Sequence, residues 1–136
     1  MSAPPLLEID GLVVAFQTPQ GRVRAVDGVS LRVERGQTVC IAGESGSGKS
    51  VTALAVMGLL PEAAQVEAGA IRLHGADLLA LAPEDWRRLR GRRMAMVFQE
   101  AMTALNPVLA VGEQVAEAFA IHGTAFGDSN LEFSPD

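Results

Sequence analysis

The chain contains Gly43-Glu44-Ser45-Gly46-Ser47-Gly48-Lys49-Ser50, which has the pattern Gly, four residues, Gly, Lys and then Ser or Thr. The glycines allow the backbone to turn so that successive N–H groups point at one place, as anion-binding loops require. Of the 11 Lys and Arg residues, Lys49 is the only lysine. The stretch therefore predicts a loop that binds the phosphates of a nucleotide.

The sequence on either side of this loop predicts a strand before it and a helix after it. Residues 38–42 form a short apolar run without alternation, which is typical of a strand covered on both faces in a parallel sheet, and this strand would bury Cys40. Residues 51–60 have few polar positions and predict a largely buried helix that Pro61 stops. The alternative is a chance match in a surface loop, and the strand and helix argue against it.

Each residue type in the loop has a physical task in binding ATP. Backbone N–H groups and the positive end of the helix dipole face the phosphate oxygens, and Lys49 can reach the β- and γ-phosphates as a point charge. The Ser50 hydroxyl can ligate Mg²⁺. The segment does not match the dinucleotide-binding fingerprint Gly-x-Gly-x-x-Gly, because Val51 stands where the third glycine is needed. The residues predicted to contact the nucleotide within this segment are Gly43, Glu44, Ser45, Gly46, Ser47, Gly48, Lys49, Ser50 and Val51.

Strand patterns dominate the first part of the chain. Residues 6–16 are rich in Leu, Ile and Val, and the polar residues 17–21 that follow contain Pro and Gly, so a hairpin is predicted. Apolar residues then alternate with polar ones at Val29, Leu31 and Val33, with the period of two of a strand that buries one face.

Shorter elements are predicted in the second part of the chain. Residues 70–75 alternate like a further strand, and a short helix begins near Pro83 and ends near Gly91. Residues 94–98 are a second fully apolar strand candidate, and apolar residues recur at helical spacing over residues 111–121.

Composition limits the class of protein. A chain of 136 residues with 49% hydrophobic residues is long enough for one globular domain with a core. The net charge of −5 argues against a nucleic-acid partner, because such binding relies on clustered Lys and Arg. The lone cysteine suits the cytosol, and no apolar stretch approaches the roughly 20 residues of a membrane span.

Three blocks of sequence resemble the ATP-binding subunits of ABC transporters, and within them the oligopeptide and dipeptide importer branch. The blocks are residues 43–61, residues 96–107 with Gln99, and the opening segment with Phe16. Together they cover roughly residues 6–122. The resemblance implies an α/β fold: a P-loop NTPase-type parallel core with an N-terminal antiparallel β subdomain and the start of a helical subdomain.

The resemblance also implies roles for single residues. Phe16 falls at the position of the aromatic side chain that stacks on adenine, and packing in the core is its alternative role. Gln99 would contact the attacking water or Mg²⁺, and Ser50 would be a second ligand of that ion. Capping of a strand end is the alternative role of Gln99. The segment from Glu100 to Pro107 would contact the transmembrane permease subunits.

The chain departs from the family pattern after His122. Residues 1–122 are expected to be the N-terminal part of a nucleotide-binding domain, and residues 123–136 an irregular or disordered tail. The signature motif, the Asp-Glu strand end and the switch histidine are missing from this sequence, and neither His74 nor His122 replaces the last of these. A water needs an orienting base for in-line attack, so weak nucleotide binding with little or no hydrolysis is expected from this chain alone.

Three hypotheses follow. The first is the N-terminal portion of the ATP-binding subunit of a peptide importer, cytoplasmic and peripheral on the inner face of the membrane, with a second ATP-binding subunit as partner. The second is a short non-catalytic module that binds the permease subunits. The third is a P-loop NTPase unrelated to transport, and the block Leu105-Asn106-Pro107 argues against it.

Overall fold

The computed structural model describes residues 4–100 and 104–122. The chain divides between Trp86 and Arg87 into two compact units. The predicted tail, residues 123–136, lies outside the described residues.

The first unit begins with the predicted hairpin. Strand β1, Leu7–Thr18, pairs antiparallel with strand β2, Gly21–Val33. The turn between them is short because Thr18 and Gly21 are ladder partners, and the Thr18 hydroxyl donates a 2.6 Å hydrogen bond to the Gly21 carbonyl oxygen. The polar turn residues at 17–21 therefore mark the hairpin, although both strands extend into that segment.

Two further strands complete the sheet. Strand β3, Ala64–Leu73, pairs antiparallel with the other edge of β1, and strand β4, Ala76–Asp77, pairs with the end of β3. The strand order is β2-β1-β3-β4, so β1 is the central member of the three long strands. The strand predicted over residues 70–75 is confirmed for residues 70–73, which end a longer strand, whereas residues 74 and 75 form the turn to β4.

The buried residues of the sheet lie mostly on β1, because it has a long partner on each side. The apolar side chains that are at most 3% exposed in the three long strands are Ile9, Leu12, Val14, Ala15, Val26 and Ile71. Removing this apolar surface from water is the main favourable term for the sheet.

Two carboxylates, those of Glu8 and Glu67, cross-link the three long strands. Glu8 lies directly opposite Arg32 of β2 and Arg72 of β3, and its two oxygens accept from these guanidinium groups at 2.7 and 3.2 Å. Glu67 of β3 forms a second pair with Arg22 of β2. Cross-strand pairs of opposite charge contribute on the order of 0.2–1 kcal/mol each, so they support the register more than they determine stability.

Helix α1, Lys49–Val56, is shorter than predicted. Gly58, at φ +62°, ends it, because the Gly58 N–H bonds to the Ala55 carbonyl oxygen and the Leu59 N–H bonds to that of Leu54, which is a Schellman arrangement. The prediction that Pro61 stops the helix is therefore wrong by one turn. The indole of Trp86 packs over Gly58, where an added Cβ would lie 2.7 Å from the ring.

The other two predicted helices are confirmed. Helix α2, Pro83–Leu89, begins at its proline and has Glu84 and Asp85 in the first turn. Acidic side chains there interact favourably with the positive end of the helix dipole. Helix α3, Val111–His122, belongs to the second unit. Its apolar residues recur at the predicted spacing, but Val115 and Phe119 are more than half exposed.

The two predicted parallel strands are not observed. Residues 38–42 and 94–98 have no strand pairing apart from an isolated bridge of Met94 with Arg90, which is the only parallel pairing in the described part of the chain. Ile41 is 49% exposed and Val97 is 96% exposed, and Cys40 is exposed where burial was predicted. A strand needs a neighbour to pair its backbone groups, and no described strand offers one to either segment.

Gly69 is the glycine of β3 that the sheet requires. Its φ is +91°, and an added Cβ would lie 2.6 Å from the backbone of Asp10 and Gly11 on β1. We expect Gly69→Ala to lower the free energy of unfolding by about 1–3 kcal/mol, because both the backbone angle and the close approach oppose a side chain. Urea denaturation followed by circular dichroism measures this change.

Gly112→Ala is the matched control for this substitution. Gly112 lies in α3, has no atom within 4 Å of an added Cβ, and has no positive φ. Alanine should be neutral or stabilising there by up to about 1 kcal/mol, because it is the better helix former. Equal losses for the two variants would contradict the close contact between β3 and β1.

Candidate functional site

The loop Gly43–Ser50 leads directly into α1 and is shaped by a tight turn. The Ser47 N–H donates a 3.2 Å hydrogen bond to the Glu44 carbonyl oxygen, which closes a four-residue turn. Gly46, the third residue of that turn, has φ +81°, as a type II turn requires. A glycine at this position allows the loop to fold back without strain.

Gly48 holds the end of the loop against the hairpin. It has φ +88°, and an added Cβ would lie 2.4 Å from the carbonyl oxygen of Ala25 and 3.3 Å from Cγ2 of Val26, both on β2. The Gly48 carbonyl oxygen accepts from the N–H of Thr52 at 2.8 Å and from its hydroxyl at 2.9 Å. Thr52 is buried, so the loop is joined both to the sheet and to α1.

Lys49, the first residue of α1, turns its side chain back over the loop. Its Nζ donates to the carbonyl oxygens of Gly43 and Glu44 at 2.7 and 2.6 Å, and lies 3.1 Å from Oγ of Ser47. The ammonium is therefore in the loop that the sequence predicts to bind phosphates. Ser50, the predicted Mg²⁺ ligand, is exposed at the second position of the helix.

The start of α1 suits an anion. The first N–H groups of a helix have no partner within it, and they carry the positive end of its dipole. Gly48 is the N-cap, has no side chain to cap the helix, and no acidic residue lies in the first turn. Together with the ammonium of Lys49, these groups give the start of α1 a positive polarisation, which favours an anion such as phosphate.

Phe16 lies on the same part of the sheet as the loop. It is half-buried and is the ladder partner of Val23 on one side and Ala64 on the other. Val14, two residues earlier, is on the same face of β1, because the ladder with β3 has no shift between the two positions; the shift in the ladder with β2 adds a residue, Ala25, to β2 and none to β1. Val14 pairs with Val26, which borders Gly48. The backbone of Phe16 is therefore about 7 Å along the strand from the residue pair that meets the loop.

Gln99 is placed differently from the sequence prediction. It was expected at the end of a buried strand, but that strand does not form, and Gln99 is exposed at a bend in the second unit. The phosphate loop and Phe16 belong to the first unit. The role of Gln99 toward Mg²⁺ or the attacking water stays a prediction.

The predicted partner segment, from Glu100 to Pro107, is described only in part, since residues 101–103 lie outside the described residues. Its end is ordered by Gln114 of α3, whose amide group accepts from the Asn106 N–H at 2.8 Å and donates to the Asn106 carbonyl oxygen at 3.0 Å. The apolar residues Leu105, Val108 and Leu109 are exposed beside this contact.

Sequence reasoning missed the residues that support the loop. Ala25 and Val26 contact it from β2, and no local pattern connects them with a loop about 20 residues later. Thr52 had a signal, because a Thr four residues after the N-cap glycine can bond back to its carbonyl oxygen. His74, expected to be an ordinary boundary residue, lies in a turn at φ +51° with Nδ1 3.3 Å from the Arg35 guanidinium.

Comparison with known proteins identifies the family. A sequence profile described as ABC transporter matches residues 26–132, which is most of the chain. The chain belongs to the ABC transporter family. The predicted resemblance to ABC transporters is thereby confirmed at the level of the family; the matched residues include the glycine loop at 43–50 and the Gln99 block, but Phe16 precedes them.

Curated ABC transporter relatives agree with this assignment. The oligopeptide transport ATP-binding protein OppD of Mycobacterium tuberculosis is 52% identical over 90% of this chain and 20% of the relative. The dipeptide transport ATP-binding protein DppD of Lactococcus lactis is 43% identical over 90% of this chain and 35% of the relative. The chain thus spans between a fifth and about a third of the length of these relatives.

A solved structure supports the fold of this ABC transporter chain. A dimeric bacterial ABC transporter cassette superimposes with a TM-score of 0.73 over 85% of this chain and 47% of the cassette, at 22% sequence identity. This likeness confirms the predicted fold class, with its antiparallel β subdomain. None of the helices in residues 4–100 and 104–122 has the length and apolar character needed to span a membrane.

A methyl group added at Gly43 and one added at Gly48 should lower the free energy of unfolding by different amounts. Gly48→Ala places a Cβ against the backbone of Ala25, which cannot move without distorting β2, and it also strains a positive φ. We expect a loss of about 1–3 kcal/mol in the free energy of unfolding.

Gly43→Ala is the comparison for this substitution, because its Cβ would come too close only to the hydroxyl of Ser47, 2.6 Å away, which can rotate aside. The other neighbours, Cβ of Ser47 at 3.4 Å and Nζ of Lys49 at 3.7 Å, are at ordinary contact distance. We expect Gly43→Ala to cost less than about 1 kcal/mol. Denaturation curves of the two variants measure the difference, and equal costs would contradict the contact of the loop with β2.

Proposed function

We propose that this chain is the N-terminal, ATP-binding part of the ATP-binding subunit of an importer for peptides or related small solutes. The observation that carries the proposal is the position of Lys49, whose ammonium lies among the oxygens of a glycine loop at the start of α1. The names of the similar relatives, which refer to oligopeptide and dipeptide transport, suggest the class of solute.

In the proposed complex, the triphosphate lies at the start of α1. The phosphate oxygens would accept from the backbone N–H groups of the loop and from Nζ of Lys49, which has no competing lysine elsewhere in the chain. Mg²⁺ would neutralise phosphate charge, with the exposed hydroxyl of Ser50 as a ligand of the hard oxygen type that this ion prefers. Gln99 is proposed as the second contact to Mg²⁺ or to the attacking water.

The adenine base is proposed to stack on Phe16. The ring is half-buried, and its ladder partner Val23 is 55% exposed, so an apolar surface remains accessible on this part of the sheet. Phe16 is separated from the loop by the pair Val14 and Val26. That arrangement suits a nucleotide whose base and phosphates contact different parts of one surface.

Hydrolysis by these residues alone is proposed to be very slow. Phosphoryl transfer needs a group that orients the attacking water, and in the described residues no carboxylate is placed at the end of a parallel strand beside the loop. The proposal is therefore ATP binding by this part of the subunit, with turnover dependent on further groups.

The partner surface is proposed to be the segment from Glu100 to Pro107, which would contact the permease subunits and hold the chain at the inner face of the membrane. The exposed apolar residues Leu105, Val108 and Leu109 support it, as does the ordering of Asn106 by Gln114. The same surface favours the second candidate, a module that binds the permease without turnover. Co-purification of permease subunits with the chain, and its loss in Leu105→Asp, tests this contact.

Lys49→Ala tests the phosphate site. Removing the ammonium should weaken ATP binding by roughly tenfold or more, because hydrogen bonds to charged groups are worth about 1.5–3 kcal/mol. Isothermal titration calorimetry with MgATP measures the dissociation constants of the two proteins.

Arg87→Ala is the control for Lys49→Ala, because it removes the same charge from an exposed position in the last turn of α2. Its affinity for ATP should equal that of the unchanged chain. Equal affinity of Lys49→Ala and the unchanged chain, or no binding by either, would disprove the phosphate site. The unchanged chain and Lys49→Ala should release phosphate from ATP equally slowly. If the unchanged chain releases phosphate and Lys49→Ala does not, the proposal of very slow hydrolysis is contradicted.

Phe16→Ala tests the base site separately. Stacking of a base on an aromatic ring is worth about 1–3 kcal/mol, so the affinity for ATP should fall roughly fivefold to a hundredfold, while that for inorganic tripolyphosphate should not change. Phe16→Tyr keeps the ring and should bind ATP like the unchanged chain. A parallel loss of ATP and tripolyphosphate affinity in Phe16→Ala would show that Phe16 supports the sheet and does not hold the base.

A further inference from the structure

The ammonium of Lys49 is fully occupied by the loop. A lysine ammonium has three hydrogens to donate, and the loop offers one acceptor to each. These are the carbonyl oxygens of Gly43 and Glu44, at 2.7 and 2.6 Å, and Oγ of Ser47, at 3.1 Å. A phosphate that binds this ammonium must therefore replace at least one oxygen of the loop.

The backbone of the loop is arranged so that Ser47 can take part. The turn that joins Glu44 to Ser47 brings the hydroxyl back toward the start of the loop, and Gly46 provides the positive φ of that turn. The hydroxyl then lies 2.6 Å from the point where a Cβ on Gly43 would be. The absence of a side chain at Gly43 therefore makes the space for it.

We propose that Ser47 is a positioning residue for Lys49. Its hydroxyl, with the two carbonyl oxygens, holds the ammonium over the loop before a ligand arrives, and it gives up the ammonium to a phosphate. The release step rests on the proposed function, whereas the holding step does not. Phosphate oxygens carry negative charge and are stronger acceptors than a neutral hydroxyl, so the exchange is favourable.

The change in tripolyphosphate affinity that Ser47→Ala causes distinguishes this proposal from direct binding of phosphate by Ser47, because the two predict changes of opposite sign. If the hydroxyl holds the ammonium only in the free chain, Ser47→Ala removes a bond from the free state and none from the bound state. Affinity for tripolyphosphate should then rise, by about twofold to tenfold for one hydrogen bond. If the hydroxyl binds phosphate, the same substitution must lower the affinity.

The single lysine makes the test direct. A full chain labelled with ¹⁵N at lysine Nζ gives one ammonium signal, because Lys49 is the only lysine. We expect the ammonium hydrogens of the ligand-free chain to exchange with water more slowly than those of free lysine. Ser47→Ala should exchange about twofold to tenfold faster than the unchanged chain, and Ser47→Thr, which keeps the hydroxyl, should restore slow exchange.

Tripolyphosphate titration of the same three proteins completes the test. The proposal is supported when Ser47→Ala exchanges faster and binds tripolyphosphate more tightly than Ser47→Thr. Exchange in the unchanged chain as fast as in free lysine, which needs no variant, overturns it. Weaker tripolyphosphate binding by Ser47→Ala also overturns it, since Ser47 would then be a phosphate ligand.

These outcomes are distinct from failure of the proposed function. If the unchanged chain shows slow exchange that Ser47→Ala makes faster, but binds neither ATP nor tripolyphosphate, the proposed function and the release step are wrong, and the holding step is supported. If it binds ATP and exchanges as fast as free lysine, the proposed function stands and the role of Ser47 is overturned.

Discussion

The close approach of Gly48 to the carbonyl oxygen of Ala25 is the contact on which the functional region depends. It leaves no room for a side chain, so the loop meets β2 through backbone alone. The hydrogen bonds from Thr52 to the Gly48 carbonyl oxygen join the same residue to α1. One glycine thereby connects the sheet, the loop and the helix, and it fixes the direction in which the first N–H groups of the helix point.

Helix α1 is fixed at both ends by glycines that do different work. At its start, Gly48 allows the close contact with β2, and at its end, Gly58 closes the Schellman arrangement beneath the indole of Trp86. Lys49 is the first residue of this helix, and its donors are directed back into the loop.

The two units differ in how far their apolar residues are buried. In the first unit β1 lies between two long strands and contributes most of the buried side chains of the sheet. In the second unit the apolar residues of α3 are exposed, as are Val97 and Phe98. The chain spans about half of the solved cassette that it resembles, and the parallel strands predicted at 38–42 and 94–98 have no described partner strand.

The sequence alone determined the glycine loop that leads into a helix, the hairpin, the helices that begin at Pro83 and Val111, and the family, because each depends on local spacing or on a motif of neighbouring residues. Only the tertiary structure decided that Ala25 and Val26 support the loop and that Gly58 ends α1 beneath Trp86. It also decided that the apolar run before the loop remains unpaired. Local pattern reports what a segment prefers, whereas pairing and close contact depend on which distant backbone is present to meet it.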